Sequence, residues 1–453
     1  MNLSRATICL FSVGLAATLT ACIAEGDADF GGLTETTTDG ASSSGAEAPA
    51  YDPDGEPHAV EPAASNLRVH EPTEGSCPKG AKEYFQIRTG LGGHSFAIDV
   101  DGNVYGWGAN DKGQLGINSV STTETKPKKV STTQKFWDVA AGDKHTLALA
   151  NDGTVWGWGD NSAGQIANAT TSVPKKIAGL GGVVQIAAGG RFSLALTDQG
   201  KLYAWGDNTY GQLGIGSVGG TRTTPTLVSS VTSPAAIGAG RDFAAAHKGS
   251  QLWIWGRDNV GQLGNGPAST ASRGTPSPVA LPGIYGFGLG PEHVLVYTAQ
   301  SLSSYHAWGS NLSGQLGDGT LSQRTSPVAI TGPSFLSVSQ LIAGATSTFI
   351  TGATGFSPPK PGIELYSAGR NDYRQLLNTA PSPTKSFTEM SGVLQEGYDN
   401  GVSHGYLQQV AAGNGYTLML IGTAVKSIGI NNAGQLGDGT LISRSSPTNV
   451  CLP

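Results

Sequence analysis

Residues 140–166 read AAGDKHTLALANDGTVWGWGDNSAGQI. Val139 to Gly142 ends one strand in an Ala-Gly turn, and His145 to Leu149 alternates as a half-buried second strand does. Asp152-Gly153 is a hairpin turn, and Thr154 to Gly159 is the third strand. The run ends in a Gly-Gln-Ile loop.

The same unit recurs seven times. Its glutamines are Gln114, Gln165, Gln212, Gln262, Gln315, Gln375 and Gln435, spaced by 51, 47, 50, 53, 60 and 60 residues. Seven positions before each lies a second column: Trp107, Trp158, Trp205, Trp255, Trp308, Ala368 and Ile428. That interval never varies while the flanking ones do, so it marks a rigid piece of framework. A glycine follows the column in every copy, from Gly108 and Gly159 to Gly369 and Gly429, which implies close backbone approach or a special φ/ψ. After each loop a Pro-started segment such as Pro127 to Val130 or Pro447 to Val450 supplies a fourth, edge strand, because proline lacks a ladder donor. Four strands at a period near 50 residues, repeated seven times, predict an all-β fold, a seven-bladed β-propeller of four-stranded antiparallel blades. Composition agrees. Glycine takes 67 of 453 positions, about twice its usual share, while charged residues at 13% fall to about half theirs.

The run Gly-x-Val-x-x-Trp-Gly-x-Asn-x-x-Gly-Gln-Leu-Gly resembles the hallmark of the regulator of chromosome condensation repeat family. The resemblance covers about 370 residues. It is strong at Asn110, Asn161, Asn208 and Asn311, and departs at Asp258, at Arg374-Gln375-Leu376-Leu377, and in the Trp-less sixth and seventh copies. It implies a seven-bladed propeller. One secreted member of that superfamily inhibits β-lactamases through one face of its ring, whereas the eukaryotic archetype exchanges guanine nucleotide on the GTPase Ran while docked on chromatin.

Charge is unevenly placed. Residues 1–21 carry +1, residues 22–76 carry twelve acids against Arg68, a balance of −11, and residues 77–453 carry 25 bases against 21 acids, +4; together these make the net −6. A nearly balanced folded part with no block of like charge gives no electrostatic case for DNA, RNA or anionic lipid as ligand. Residues 1–21 have Arg5, the apolar stretch Ala6 to Ala17 and Leu19-Thr20-Ala21-Cys22, which read as a signal peptide too short to span a bilayer. Leu-x-Ala-Cys resembles the lipobox of bacterial lipoproteins, which implies acylation of Cys22; Ile23 after it favours outer-membrane sorting under the enteric rule. Residues 22–76 have almost no large apolar side chains and are expected to form an acidic flexible linker, with a reach of roughly 40 Å. The propeller is expected over residues 77–453.

Several patterns invite chemistry and lose to simpler readings. The slot after the Ala-Gly turn holds His94, His145, Phe192, Phe243, His293, Ser347 and Tyr416; aromatics and a serine in it argue for packing or hydrogen bonding rather than acid-base or metal chemistry. Asp99-Val-Asp101-Gly102-Asn103 lacks calcium-loop spacing and its terminal Glu. The Trp column reads as core, and the Gln amides as groups that satisfy backbone between blades. No catalytic residue, metal or cofactor is assigned.

The expected function is that of an exported, lipid-anchored, monomeric envelope protein whose propeller is a non-enzymatic scaffold for a protein partner. A carbohydrate-active enzyme, lyase or glycosidase, is the alternative, with two carboxylates at glycosidase separation as its mark. Nucleotide exchange follows from family transfer alone. Val450 is equivalent to Val130, six residues ahead of the next strand start, and Cys77 lies seven residues ahead of Tyr84. Ring closure should therefore bring Cys77 to Cys451 in a seam disulfide worth about 3 to 5 kcal/mol. Two insertions stand out. Ser347 to Ala368 takes 21 positions against 12 to 15 elsewhere, and Gln375 to Tyr416 takes 41 against 27 to 32. They fall after a second strand and before a first strand, which share a face, so Phe356, Tyr398, His404 and Tyr406 are the candidate partner-binding residues.

Overall fold

Seven antiparallel sheets of four strands follow one another along the chain. The computed structural model describes residues 83–266, 271–298, 304–335, 337–353, 364–390 and 407–453. Blade one runs from Tyr84 to Lys129, two from Phe136 to Lys176, three from Val183 to Leu227, and four from Ala236 to Pro278. Blade five runs from Ile284 to Thr331, six from Ser337 to Glu389, and seven from Leu407 to Asn449. Every regular element among the described residues is a strand. Each blade is built from consecutive strands, so contacts between blades seven and one close the ring. Ile87 N–H donates to Gln409 Oε1 (2.8 Å), Tyr84 OH to Pro453 O (3.1 Å) and Trp107 Nε1–H to Gln435 O (2.9 Å). Tyr84, Ile87 and Trp107 share an apolar cluster with Tyr416, Leu418 and Leu452. Cys451 is buried beside this seam and disulfide-bonded; Cys22 and Cys77 lie outside the described residues.

The fourth strand begins earlier than its proline suggests. In blade two the pairing runs from Gly157↔Lys175 directly to Gly159↔Thr171, so residues 172–174 bulge opposite Trp158. Pro174 sits in that bulge. Pro127, Pro225, Pro276, Pro327 and Pro447 occupy the equivalent bulges, where the missing N–H costs no ladder bond.

The Trp column joins the blades. Each indole Nε1–H donates to the backbone carbonyl of the preceding blade's column glutamine: Trp158 to Gln114 (2.8 Å), Trp205 to Gln165 (2.8 Å), Trp255 to Gln212 (2.9 Å) and Trp308 to Gln262 (2.9 Å). A hydroxyl after the His-column slot makes the same bond. Thr146, Ser193 and Ser95 add to the indole, and Thr348 and Thr417 replace it where blades six and seven lack Trp. All seven glutamine carbonyls therefore keep a donor from the next blade. The side-chain reading needs correction: every column glutamine's Oε1 accepts the N–H two residues earlier in its own loop, as Lys112 N donates to Gln114 (2.8 Å). The amide shapes the loop, and the main chain makes the bond between blades. The glycine after each column residue shows both expected features. Gly159 has φ +96°, and a Cβ there would lie 2.5 Å from Lys144 O.

Blades six and seven depart from the pattern in matched pairs. The glycine after Gln-Leu normally lies against the next blade's indole, so a Cβ on Gly116 would lie 2.8 Å from Trp158 Nε1. Blade six has Ala368 in the column and Phe387 in the proline bulge, and the Phe387 ring lies where an indole would, 2.4 Å from a Cβ built on Gly317. Blade seven has the smaller Ile428, and the preceding glycine is replaced by Leu377, held at φ +62° in the same cluster as Ile428. Volume removed on one side of each junction is returned on the other.

Asn110 Oδ1 accepts Leu115 N–H (3.1 Å) and its Nδ2 donates to Ser119 O (3.0 Å). Blade four has Asp258, which accepts Leu263 N–H (2.9 Å) but cannot donate when ionised. Its Oδ2 is buried beside Asn265 without a well-formed hydrogen bond, and burial raises its pKa.

Candidate functional site

Antiparallel order puts the loops joining strands one to two and three to four on one face of the ring. The turns joining strands two to three and the connections between blades lie on the other. The two faces differ in how far they satisfy themselves.

On the first face the loops bond to one another. Asp143 N–H donates to Gly190 O (3.1 Å), Gly190 N–H to Arg241 O (2.7 Å) and Arg241 N–H to Pro291 O (3.0 Å). Ion pairs on it join Asp111 to Lys144 (2.5 Å), Asp143 to Arg241 (3.1 Å) and Asp242 to Arg257 (3.1 Å). Just below it lies the His column. His94, His145 and His293 are buried, and burial pushes their pKa values down to about 3, 4 and 4. They are neutral near pH 7. His145 Nε2 meets Ser193 Oγ (3.1 Å), His293 Nε2 meets Thr348 Oγ1 (2.8 Å) and Tyr416 OH meets Ser95 Oγ (2.9 Å), each in the next blade around the ring. Where the slot is Phe192 or Phe243 the facing residue is Ala244 or Val294, in shared apolar clusters. Polar meets polar and apolar meets apolar at these junctions, so the slot packs and bonds the blades, as its mixed occupancy predicts.

Both faces carry exposed apolar side chains: Val120, Val218, Leu312, Tyr373, Leu441 and Ile442 stand in the three-to-four loops of the first, and the second carries its own beside the first strands. Near the start of the first strand the pairing skips one residue, as between Phe136 and Asp138 or between Ile284 and Gly286. The skipped residues are Phe85, Trp137, Val184, Tyr285, Ser339 and Gln408, with Ala235 just ahead of blade four's first strand. A bulge re-aims its side chain; here Phe85 and Trp137 pack against the apolar clusters between blades, while Val184 and Tyr285 reach solvent. Val184 is 50% and Tyr285 48% exposed; Ala235 is exposed, and Phe85 and Trp137 are half-buried with ring centroids 6.3 Å apart. Blades one to five thus present an apolar arc, and Ser339 and Gln408 complete the ring with polar groups. The sequence carries one signal for this column: each member stands five residues before the glycine of its Ala-Gly turn. The alternation that located the strands hides it, because a bulge reverses the face of a side chain.

The turns of this face adjoin the arc. Phe136 N–H donates to Gly102 O (2.9 Å) and Val183 N–H to Gly153 O (3.0 Å), which seats Trp137 beside Asp101 and Val184 beside Asp152; Asp198 N–H donates to Gly182 O (2.8 Å). All three aspartates are exposed. The Thr154 hydroxyl and N–H hold Asp152 below the usual carboxylate range.

Phe356, Tyr398, His404 and Tyr406 lie outside the described residues. The strands that bracket their insertions are described. Gly352 pairs with Glu364 and Tyr366 with Glu389, so the ends flanking residues 354–363 and the end preceding residues 391–406 lie at one edge of blade six, on the side of the arc.

Residues 58–385 match the model of the RCC1-like domain. Among curated proteins the chain is similar to human E3 ubiquitin-protein ligase HERC2, 30% identical over 271 residues, 56% of this chain and 6% of that protein. It is also similar to the human regulator of chromosome condensation, 45% identical over 69 residues, 15% of this chain and 16% of that protein. The chain therefore spans only a small part of the length of these relatives. Among solved structures, yeast RCC1 (Prp20) bound to Kap60 superposes with a TM-score of 0.65 at 20% identity, over 82% of this chain and 84% of that one. Human WBSCR16 gives a TM-score of 0.65 at 19% identity, over 78% and 94%. At this identity the likeness is one of fold.

Proposed function

The chain belongs to the RCC1-like domain family, and from that premise we propose that it is a non-enzymatic scaffold, tethered at the cell envelope through a lipid on Cys22, that binds a protein partner on the arc-bearing face. The observation that carries this reading is the bulged start of the first strands, which puts Val184 and Tyr285 into solvent beside the inner strands of the ring. Two bulges turn Val184 and Tyr285 outward with exposed Ala235 in the blade between them, whereas the loops of the other face bond to one another and pair Asp111, Asp143 and Asp242. Exposed aromatic and aliphatic side chains at the centre of a rigid surface are what a partner can desolvate. Yeast Prp20, described with Kap60 and by its binding properties to Gsp1p and histones, supports protein binding as a use of this fold. The histidine slot makes contacts between blades through Nε2, which favours a packing and bonding role for it over acid-base chemistry. Export would place Cys451 in an oxidising compartment, and the partner proposed for its disulfide is Cys77.

The test is affinity capture from envelope extract with the full chain as bait, beside a Val184→Asp/Tyr285→Asp variant and a Val120→Asp/Leu312→Asp variant altered on the opposite face. A stoichiometric protein retained by wild type and the opposite-face variant, and lost from the arc variant, is the expected result. Equal capture by all three would refute the assignment of this face.

A further inference from the structure

The geometry points to Asn414 as a site of spontaneous covalent modification, deamidation through a cyclic imide, in a turn where the fold leaves open chemistry that it closes elsewhere. Two described asparagines stand in the sequence Gly-Asn-Gly: Asn265 in the three-to-four loop of blade four and Asn414 in the one-to-two turn of blade seven. Asn400, also followed by glycine, lies outside the described residues. In such a step the main-chain nitrogen of the glycine attacks the asparagine Cγ. A bond forms between them, the Cγ–Nδ2 bond breaks, and ammonia leaves with the proton of the glycine N–H. Water then opens the imide on either carbonyl. At Cγ it gives aspartate; at the main-chain carbon it gives isoaspartate, with the chain running through the side chain. Nothing is oxidised or reduced. Glycine at the attacking position, having no side chain, leaves the approach unhindered.

The fold separates two identical tripeptides. At Asn265 the Gly266 N–H, which must give up its proton, donates to Thr325 O (3.0 Å), and the side-chain Oδ1 is buried beside Asp258. Attack there needs a local opening. Asn414 is exposed, and among the described residues no acceptor engages the N–H of Gly415 or of Asn414 itself. In blade two the residue at the place of Asn414 is Asp143, whose N–H is held by Gly190 O of the next blade (3.1 Å). Packing also fixes the glycine. Gly415 lies at φ +78°, and a Cβ there would lie 2.5 Å from Ile430 Cδ1, so the turn keeps a glycine beside the exposed amide. The two products differ in what they disturb. Aspartate would stand where blade two already carries Asp143. Isoaspartate adds a methylene to the main chain in the turn that leads to Tyr416, whose OH donates to His94 O (3.1 Å) and meets Ser95 Oγ (2.9 Å) across the seam between blades seven and one; it should loosen ring closure.

The experiment incubates the purified full chain in mildly alkaline buffer made with heavy-oxygen water, once native and once in urea. Digestion follows in ordinary water. Fragment-ion mass spectra locate the heavy oxygen at each asparagine, and an isoaspartyl methyltransferase measures isoaspartate in the separated peptides. In the native protein Asn414 should convert about tenfold or more faster than Asn265, whose reaction waits on a local opening. In urea the two rates should converge, because both asparagines lie between glycines. Native wild type aged in this way should unfold at a lower urea midpoint than Asn414→Ser aged beside it, while fresh Asn414→Asp keeps the wild-type midpoint. Equal native rates at Asn265 and Asn414, or a gap between them that persists in urea, would overturn the inference. Equal midpoints for the two aged proteins, with isoaspartate present at 414, would overturn its consequence for the seam.

Discussion

Leu377 and Ile428 should be energetically one unit. Leu377 takes the place of the glycine that elsewhere faces an indole, at φ +62°, and is 4% exposed. Replacing it with glycine removes a buried side chain, about 3 kcal/mol, and returns about 1 kcal/mol by relieving a left-handed backbone; the net loss is ~2 kcal/mol. Ile428→Trp alone drives an indole into the Leu377 side chain, an overpacking of about 3 kcal/mol. The double variant recreates the junction seen between Gly116 and Trp158. There the ring fills the space, and its Nε1–H reaches the Gln375 carbonyl beside Thr417 (2.8 Å), a bond of ~1 kcal/mol. The double variant should therefore lie within ~1 kcal/mol of wild type, against a sum of ~5 kcal/mol for the single changes. Urea midpoints at constant m measure all four proteins. Loss in the double variant equal to the sum of the singles, within about 0.5 kcal/mol, would refute the compensation.

The same reasoning at blade six expects Ala368→Trp to destabilise and Phe387→Pro added to it to rescue, read by the same midpoints. Asp258→Asn should raise stability at pH 7 by about 1 to 2 kcal/mol, because it removes a buried charge that lacks a well-formed hydrogen bond at Oδ2. Burial raises the Asp258 pKa in the folded state, so the wild type loses stability as pH climbs out of the ordinary carboxylate range; the gap to the variant should narrow at pH 4. His94, His145 and His293 have lowered pKa values, so the stability they contribute is present above pH 6.5 and falls as pH drops towards 4, by up to about 1.4 kcal/mol per pH unit for each. His145→Phe/Ser193→Ala, which copies the Phe192 and Ala244 pair, should lessen that slope in urea titrations between pH 7 and 4.5. Metabolic labelling with an alkyne fatty acid should mark Cys22 and fail in Cys22→Ser, and a non-reducing digest should yield one peptide pair joining Cys77 to Cys451.

The architecture was legible in the chain because its repeat is short-range. The seven-residue interval between the Trp and Gln columns, the Ala-Gly and Asp-Gly turns and the alternation between them are set by local backbone rules, and seven copies of a four-stranded unit have few ways to cover their flanks. The core role of Trp158 or Trp205 needed only that period and the hydrophobicity of the ring. What pairs across junctions was not legible, since its members stand far apart in sequence. Phe387 standing in for Ala368, Leu377 answering Ile428 and Ser193 answering His145 appear only when neighbouring blades are in contact. The glutamine column was located from sequence but its bonds were not, because a side-chain pattern cannot reveal that the main-chain carbonyl bonds to the next blade. The arc of Phe85, Trp137, Val184, Ala235 and Tyr285 escaped for a sharper reason. Strand periodicity assigns each side chain a face by counting in twos, and one bulged residue reverses the count. Only the tertiary structure, where register is measured between strands rather than along one, decided that Val184 and Tyr285 reach solvent while Phe85 and Trp137 pack at the edge of the clusters between blades.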